Sequence, residues 1–545
     1  MSKPNMLFIS PPDIPIEEIR NTNTPTAQWA TNISMKMGIL SLAAYTLKHV
    51  DAQIRIIDLG LEISNNEDSF KTMIWEEFLR LTMSKVFDSE LPEIVGISAL
   101  YNSNAGYMEL IASTAKVLWP GVLVIAGGIL PTNYYRYVLD EAPSIDAIVI
   151  KEGEKPLVGL LTAGDKKEYL AGAKGWMTRE RLHEEPTMDL INDLDEIPFF
   201  RYDLIDFDAY QKLNRYHGER SSDSIAVSVM TTRGCPYGCC FCASHTVHGK
   251  KIRRHSSERV LNDIHKLKEL YKVNIILIED DLFFIQKEYA LEVLKGISKM
   301  NLTIEFPNGI SIQHMDEEMV DALKTAGLKM ATLAVESGSE RVLNEIIHKP
   351  YKKLSRVKYV VSLLRERGIY VRAGFIIGFP GETMEEILET KRFMKETGFN
   401  WVQIFIATPL VGSELYDICK KNELLISDSL EKFHFGQSNI RLSHSTSEEF
   451  VNLRYLMNLE VNFVDNYDLR NGSPQVALIG FLDVINRVPN HAFAYYFASQ
   501  CYEKMGKEDL CREYQAKYRE IVLASSEWMG YTKHFNLPIG EMAEL

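Results

Sequence analysis

The chain has 545 residues, of which 46% are hydrophobic and 25% charged, and its formal net charge is −14. A single hydrophobic core does not grow to this size, so we expect about three domains. The composition excludes a disordered or low-complexity chain. The acidic balance disfavours nucleic acid as the main partner, although the short basic run Lys250–Arg254 can hold a small anionic ligand. No apolar run approaches the ~18 residues of a membrane span, so we expect a cytoplasmic protein.

Residues 1–190 alternate short apolar strand candidates with amphipathic stretches. The strand candidates are Asn5–Ser10, Gln53–Leu59, Ile94–Ala99, Val122–Gly127 and Asp146–Ile150. This rhythm predicts a doubly wound, Rossmann-like parallel sheet of α/β class. A polar, proline-containing stretch at Asp193–Phe200 then opens a predicted linker, residues 191–225.

A second α/β alternation follows and belongs to a predicted domain of residues 191–430. Its strand candidates are Ala226–Thr231, Asn274–Glu279, Thr303–Phe306, Met330–Val335, Val371–Ile376 and Val402–Ala407. The capping-box pair Thr383 and Glu386 marks the start of one of the intervening helices. Six βα units favour a partial, TIM-like (βα)6 barrel over a complete barrel of eight units.

The remaining residues, 431–545, read as helical. Ala477–Val488, His491–Met505 and Lys507–Val522 are predicted helices joined by tight turns, and the middle part resembles one tetratricopeptide unit. One such unit is fewer than the three that a solenoid usually needs. Two interpretations stay open, a helical cap on the preceding domain and a surface that binds a protein partner.

The stretch Gly234–Ala243, GCPYGCCFCA, holds four of the seven cysteines and follows the first strand of the second domain. Loops at the carboxyl ends of strands build the active sites of parallel barrels. Three thiolates there can hold three irons of a four-iron cluster and leave the fourth iron open. The spacing allows Cys235 and Cys242 to act with either Cys239 or Cys240. A zinc site completed by a histidine is the alternative, and a disulfide is disfavoured in the cytosol. The two candidate zinc-binding histidines are His245 and His248.

The longer stretch TRGCPYGCCFCAS resembles the signature of the radical S-adenosylmethionine (SAM) superfamily, CxxxCxΦC, in which Phe241 supplies the aromatic Φ. The resemblance implies a 4Fe–4S cluster bound by Cys235, Cys239 and Cys242, and leaves Cys240 as a bystander. It also implies a partial six-unit barrel, which agrees with the strand count.

Three further segments resemble motifs of the same superfamily in the same order: Ile278–Phe283, Ala334–Ser339 and Gly374–Thr383. The resemblance implies that SAM is contacted by Phe241, Asp280, Glu336, Ser337, Gly374 and Gly378, with Asp281 as the alternative to Asp280. Taken singly, an acidic residue at a strand end can equally cap the next helix.

In the first domain, Val95–Leu100, Ile125–Thr132 and Asp146–Glu154 resemble the turns of cobalamin-binding domains fused to radical SAM enzymes. The implied cobalamin contacts are Ser98, Leu100, Gly127, Gly128, Glu152, Gly153 and Glu154. The region SPPDIPIEEIRN departs from the Asp-x-His-x-x-Gly pattern that supplies a cobalt ligand, and no His precedes His49. The alternative is a domain that has lost cobalamin and keeps its glycines for turn geometry.

The resemblance covers about residues 1 to 425 and implies a class B radical SAM methyltransferase-like enzyme. Such relatives use a deoxyadenosyl radical and methylcobalamin to methylate an unactivated carbon of a small molecule or peptide, and they need a flavodoxin- or ferredoxin-type electron donor. A radical cyclase acting on a tetrapyrrole is the alternative. RNA methylthiotransferases are disfavoured because no cysteine precedes Cys235, and maturases with auxiliary clusters because only three cysteines follow Cys242. The motifs of the resemblance disfavour a non-catalytic cobalamin or metal sensor.

Overall fold

The computed structural model describes residues 3–13, 19, 34–86, 91–213, 223–427, 433, 437–443 and 445–539. The first sheet contains β1 (Asn5–Ser10), β2 (Gln53–Asp58), β3 (Ile94–Ser98), β4 (Leu123–Gly127), β5 (Ala147–Val149) and β6 (Trp176–Met177). Their order is β2-β1-β3-β4-β5-β6, and all neighbours are parallel except the short β6. The predicted doubly wound sheet is confirmed.

Both faces of this sheet are covered by helices: α1 (Met37–His49), α2 (Leu59–Asn65), α3 (Glu67–Thr72), α4 (Trp75–Ser84), α5 (Ala105–Leu118), α6 (Ile129–Glu141), α7 (Glu154–Thr162) and α8 (Lys166–Gly172). Strand β1 shows why two layers form. Leu7 and Ile9 belong to the core under α4 to α6, whereas Met6 and Phe8 belong to the core under α1 and α7. Alternate side chains point to opposite faces of a strand, so a strand that is apolar throughout needs cover on both sides.

After α9 (Phe207–Leu213), the second domain contains β7 (Ala226–Val229), β8 (Thr232–Arg233), β9 (Arg253–Arg254), β10 (Ile275–Ile278), β11 (Thr303–Glu305), β12 (Met330–Glu336), β13 (Tyr370–Ile377) and β14 (Trp401–Ile406). The six barrel strands form two parallel arcs, β7-β10-β11 and β12-β13-β14. Isolated bridges, including Ile310 to Leu333, join the arcs. Strand β11 has only three residues and a glycine turn at Gly309 (φ +88°) follows it, so continuous pairing stops there.

The helices outside the barrel are α10 (Ser244–His248), α11 (Ser257–Tyr271), α12 (Lys287–Ile297), α13 (Glu317–Thr325), α14 (Leu354–Glu366), α15 (Met384–Glu396) and α16 (Glu414–Lys421). The C-terminal helices are α17 (Ser447–Leu459), α18 (Tyr467–Arg470), α19 (Pro474–Arg487), α20 (Ala492–Lys504), α21 (Glu508–Ala524) and α22 (Ser526–His534). Gly480 of α19 packs on Trp401, and Asp483 accepts a 3.2 Å hydrogen bond from Arg372 inside the barrel. Helix α19 therefore caps the barrel. Within the described ranges, no helix is both long and apolar enough to cross a membrane.

Candidate functional site

The carboxyl-terminal edges of the first sheet and of the barrel face each other. Asn102, which follows β3, donates a 3.4 Å hydrogen bond to the carbonyl oxygen of Pro409, which follows β14. Asn133 on α6 donates a 2.8 Å hydrogen bond to Thr246 of α10, the short helix that follows the cysteine stretch. Ligands of parallel α/β sheets bind at this edge. The fold therefore brings two ligand-binding edges to one interface.

The cysteine stretch lies on a loop that leaves and re-enters the barrel through the two-stranded ribbon β8–β9. Within it, the Cys235 N–H donates to the Gly249 carbonyl at 3.2 Å, and the Cys242 N–H donates to the Cys239 carbonyl at 3.0 Å. Gly234 has φ +99°, and a side chain there would meet the Lys251 carbonyl oxygen. The tight crossing of the ribbon explains why glycine precedes the first cysteine.

Cys240 differs from the other three cysteines of the loop. It is 1% exposed and belongs to the barrel core, whereas Cys235, Cys239 and Cys242 are all partly exposed. Its N–H donates to the Ile347 carbonyl, and its own carbonyl accepts from the Leu415 N–H. Burial raises the pKa of all four thiols of the loop, so the position of Cys240 in the core, and not its pKa, sets it apart. Three partly exposed thiols and one core thiol match the donor set of a cluster with an open iron.

A zinc site is not favoured by the geometry. Among the residues that the structure describes, no three His, Cys, Asp or Glu side chains converge in a way that would hold one metal ion. His248 directs Nδ1 at Glu152, 3.0 Å away, instead of at the cysteines. Thiolates that bind separate irons of one cluster do not need to converge on a single point.

Glu336 lies at the carboxyl end of β12, where the sequence pattern predicted a SAM contact. It has φ +74°, an unusual conformation for a residue other than glycine, and the register of β12 against β13 shifts just before it. Backbone strain of this kind often marks a ligand site. Its Oε1 is 3.0 Å from the ammonium of Lys349, which is buried beside the cysteine loop. Burial alone would lower the pKa of Lys349, but the charge of Glu336 outweighs it and raises the pKa, so the ammonium retains its charge.

The other predicted SAM contacts divide into open and engaged positions. Gly374 faces the barrel interior, and a Cβ there would make only ordinary contact with Phe405. The Phe241 ring stacks obliquely against Phe379, with centroids 6.4 Å apart, which joins the cysteine loop to the turn after β13. Gly378, in that turn, has φ +89°, but it is buried and a Cβ there would lie 2.7 Å from the Phe450 ring, so it is engaged by packing. Ser337 is engaged as well, because it is fully buried and its hydroxyl lies 3.2 Å from Thr390 Oγ1.

Asp280 and Asp281 hold different parts of the cysteine loop. Asp280 is buried and accepts hydrogen bonds from Thr231 and Thr232, just before the loop. Burial raises its pKa to about 6, although these donors oppose the shift. Asp281 instead accepts from the Gly234 N–H at 3.3 Å and from the Ser244 hydroxyl. Of the two, Asp281 lies nearer the cysteines, and the predicted contact from Asp280 to SAM stays a prediction.

At the edge of the first sheet, Ser98 pairs with Gly127 across β3 and β4, and both are partly exposed. Leu100, just beyond β3, is 38% exposed. Gly128 has φ +112°, and a Cβ there would lie 2.2 Å from the Ala99 carbonyl oxygen. Ser98 and Leu100 are thus accessible at this edge, whereas the missing side chains of Gly127 and Gly128 leave room for Val149 and for the Ala99 carbonyl. The predicted cobalamin contacts of all four residues stay predictions. The structure does not describe residues 14–18 and 20–33, in which most of SPPDIPIEEIRN falls.

The same edge predicts an effect of substitution. We expect Gly128→Ala to destabilise the first domain by about 3 kcal/mol or more, because it adds a clash with the β3 backbone to the strain of positive φ. Gly121→Ala is the matched control, since Gly121 also has positive φ but has open space around its Cβ. It should cost only about 1–2 kcal/mol. Urea unfolding of both variants measures the difference, and equal losses would refute the proposed clash.

Glu152 and Glu154 do not face this open edge with their carboxylates. Arg253 of β9 donates to Glu152 Oε2 at 2.7 Å, and His248 Nδ1 lies 3.0 Å from Oε1. Arg233 of β8 donates to Glu154 at 2.8 Å and lies 3.4 Å from Glu152. Hence both strands of the ribbon that carries the cysteine loop are bound to one segment of the first domain. Residues 152–154 are all buried, and the predicted cobalamin contacts of this segment stay predictions.

Sequence reasoning missed three residues of this region. Arg233 was adjacent to the cysteine motif, but its acidic partners are about 80 positions away and carry no local signal. Lys349 follows a π-helical turn, Val342–Ile346, that propensity does not anticipate. Glu382 accepts hydrogen bonds from Gly378 and Phe379, and burial raises its pKa to about 7. Its position within GFPGET was the one available signal.

Comparison with known proteins agrees with these observations. Residues 229–394 match the radical SAM superfamily, and residues 30–161 match the B12 binding domain. An uncharacterized methyltransferase of Pyrococcus horikoshii is 32% identical over 378 residues, which cover 68% of this chain and 79% of that protein. The cytidylyl-2-hydroxyethylphosphonate methyltransferase of Streptomyces wedmorensis is 26% identical, covering 78% and 85%. The anaerobic magnesium-protoporphyrin IX monomethyl ester cyclase of Rubrivivax gelatinosus is 26% identical, covering 64% and 61%.

A solved structure shares the fold. The radical SAM methyltransferase TsrM from Kitasatospora setae, with cobalamin and a [4Fe-4S] cluster bound, superposes with a TM-score of 0.61 at 16% identity, over 94% of this chain and all of that one. The fold and the two matched domains define a radical SAM enzyme with a cobalamin-binding domain. The chain belongs to the cobalamin-dependent radical SAM family, which includes the methyltransferases just described. Its cofactors are a 4Fe–4S cluster, SAM and cobalamin.

Proposed function

We propose that the protein methylates an unactivated carbon of a small molecule or peptide. The observation that carries this proposal is the meeting of the two ligand-binding edges, because carbon methylation of this kind needs cluster, SAM and cobalamin around one substrate. When bound, these groups supply the radical and the methyl group. Similar proteins named methyltransferases support the proposal, since two of them align over most of their length.

In this proposal the chain's own residues hold, orient and shield the reacting groups. Cys235, Cys239 and Cys242 bind the cluster, and Asp281 together with the ribbon fixes their loop. Glu336, at its strained position, and Gly374, on the open inner face, receive SAM. The C-terminal helices close the barrel behind the substrate, which limits the access of water.

The alternative is a radical cyclase or oxidase without net methyl transfer, and the relationship to the cyclase of Rubrivivax gelatinosus is the observation in its favour. Analysis of the SAM-derived products separates the two. We expect anaerobic incubation with excess SAM and reductant to form up to about one S-adenosylhomocysteine per bound cobalamin together with deoxyadenosine, since without a substrate the cofactor would be the only methyl acceptor. Deoxyadenosine alone, from enzyme with a full complement of cobalamin, would overturn methyl transfer and favour the cyclase.

The proposal also includes an electron donor, a cellular location and a protein partner. Reduction of the cluster requires a low-potential electron donor of the flavodoxin or ferredoxin type, and a cytoplasmic location of the enzyme is part of the same proposal. A protein partner for the C-terminal helices remains part of the proposal. Half-buried Trp528 and Tyr531 pack within the core of this region, so its partner surface lies elsewhere on the helices.

A further inference from the structure

The basic run Lys250–Arg254 divides into buried and exposed residues. Arg253 is 7% exposed and binds Glu152. Arg254 hydrogen-bonds Gln286 and lies over the Tyr289 ring at 4.7 Å. Lys250 and Lys251, by contrast, are exposed at the tip of the ribbon. These two ammonium groups are therefore presented to solvent by the element that carries the cysteine loop.

The exposed lysines lie next to the first proposed cluster ligand. The Gly249 carbonyl, adjacent to Lys250, accepts the hydrogen bond from the Cys235 N–H at 3.2 Å. The Lys251 carbonyl is so close to Gly234 that a Cβ there would lie 2.5 Å from it. The backbone at the surface is thus one hydrogen bond away from a residue that binds the cluster. This short path suits entry of an electron from outside.

The two exposed lysines form a small positively charged surface. We call Lys250 and Lys251 the cationic patch. It stands out because the chain as a whole has a net charge of −14.

We propose that the cationic patch docks an acidic one-electron carrier protein, which delivers its electron to the cluster through the Gly249–Cys235 contact. The inference rests on the proposed function, since only a reducible cluster needs a donor. In this step the carrier is oxidised by one electron and the cluster is reduced by one electron, and no proton or group is transferred. Opposite charges raise the association rate and orient the two proteins, and salt screens this attraction.

The test uses the full-length holoenzyme and compares two reductants, reduced flavodoxin and dithionite. With flavodoxin, we expect the Lys250→Glu/Lys251→Glu variant to raise the KM for the carrier about tenfold and to lose most of the salt dependence of its KM. With dithionite, which needs no docking, deoxyadenosine formation should stay within about twofold of wild type, because no bond to the cluster has changed. Lys250→Arg/Lys251→Arg should restore the wild-type KM, since the charge is retained.

The matched control is Lys295→Glu/Lys299→Glu, which makes the same charge change at exposed positions at and after the end of α12. It should leave the KM for flavodoxin unchanged. An unchanged KM in the patch variant, or an equal rise in the control, would overturn the docking site. Loss of cobalt from the patch variant would assign the lysines to cobalamin instead. Failure of wild-type enzyme to cleave SAM even with dithionite would reject the proposed function, which separates the two failures.

Discussion

Cys239→Ala is expected to abolish cluster binding, whereas Cys240→Ala is expected to keep it. Cys239 is a partly exposed thiol on the loop, and its loss leaves two proposed ligands for the cluster. Cys240 faces the barrel core and hydrogen-bonds through its backbone only, so alanine removes one buried sulfur at a cost of about 1 kcal/mol. Iron and sulfide analysis after anaerobic reconstitution measures the difference, and deoxyadenosine formation should fall to background only in Cys239→Ala.

The remaining cysteines provide the controls for this series. Cys235→Ala and Cys242→Ala should behave like Cys239→Ala, while Cys419→Ala, a core substitution of the same kind as Cys240→Ala, should retain the iron. The ligand assignment would be wrong if Cys240→Ala lost the cluster while Cys239→Ala kept about four irons. It would also be wrong if the wild type bound zinc in place of iron.

Much of the fold was predictable because its strands are short apolar runs between clear helix and turn signals. All eleven predicted strands are present with ends shifted by a few residues at most, for example β1 at Asn5–Ser10 and β13 at Tyr370–Ile377. The capping box of Thr383 and Glu386 is formed as predicted. What the pattern did not reveal is the break of the barrel into two arcs after β11, since pairing between strands is a tertiary property.

The candidate site was predictable to the level of its loops, not of its side chains. The glycines at 127 and 128 lie at the sheet edge, as the turn pattern indicated. The carboxylates of Glu152, Glu154 and Asp280 do not lie free at ligand-facing positions, because partners distant in sequence bind them. Domain limits of 1–190, 191–430 and 431–545 remain our proposal.

The binding of one segment of the first domain to both ribbon strands leads to the second prediction. We expect Glu152→Gln to loosen the ribbon by about 3 kcal/mol or more, a factor above about 100 in its opening equilibrium, because the buried guanidinium of Arg253 loses its counter-charge and that of Arg233 keeps only Glu154. Hydrogen–deuterium exchange of peptides that span residues 232–254 measures this opening. We also expect a smaller effect of the reduced cluster on the relaxation rate of the cobalt EPR signal in Glu152→Gln than in wild type. The reason is that the distance between the ligand-binding edges of the two domains becomes less well fixed.

Asp203→Asn is the control, since it breaks the ion pair between Asp203 and Arg201. The side chains of Arg201 and Asp203 are 46% and 55% exposed, and such a surface pair contributes only about 0–1 kcal/mol.

The effect of Glu152→Gln should also depend on pH. Burial alone would raise the pKa of Glu152, but hydrogen bonds from Arg253 and His248 and the charge of Arg233 hold it well below its usual value of 4.5. The folded state therefore binds this proton more weakly than the unfolded state, so the carboxylate stabilises fully above about pH 4.5 and progressively less below it. The difference between wild type and Glu152→Gln should accordingly be constant near neutral pH and shrink in acid, and a difference that grew in acid would contradict the ion-pair role of Glu152.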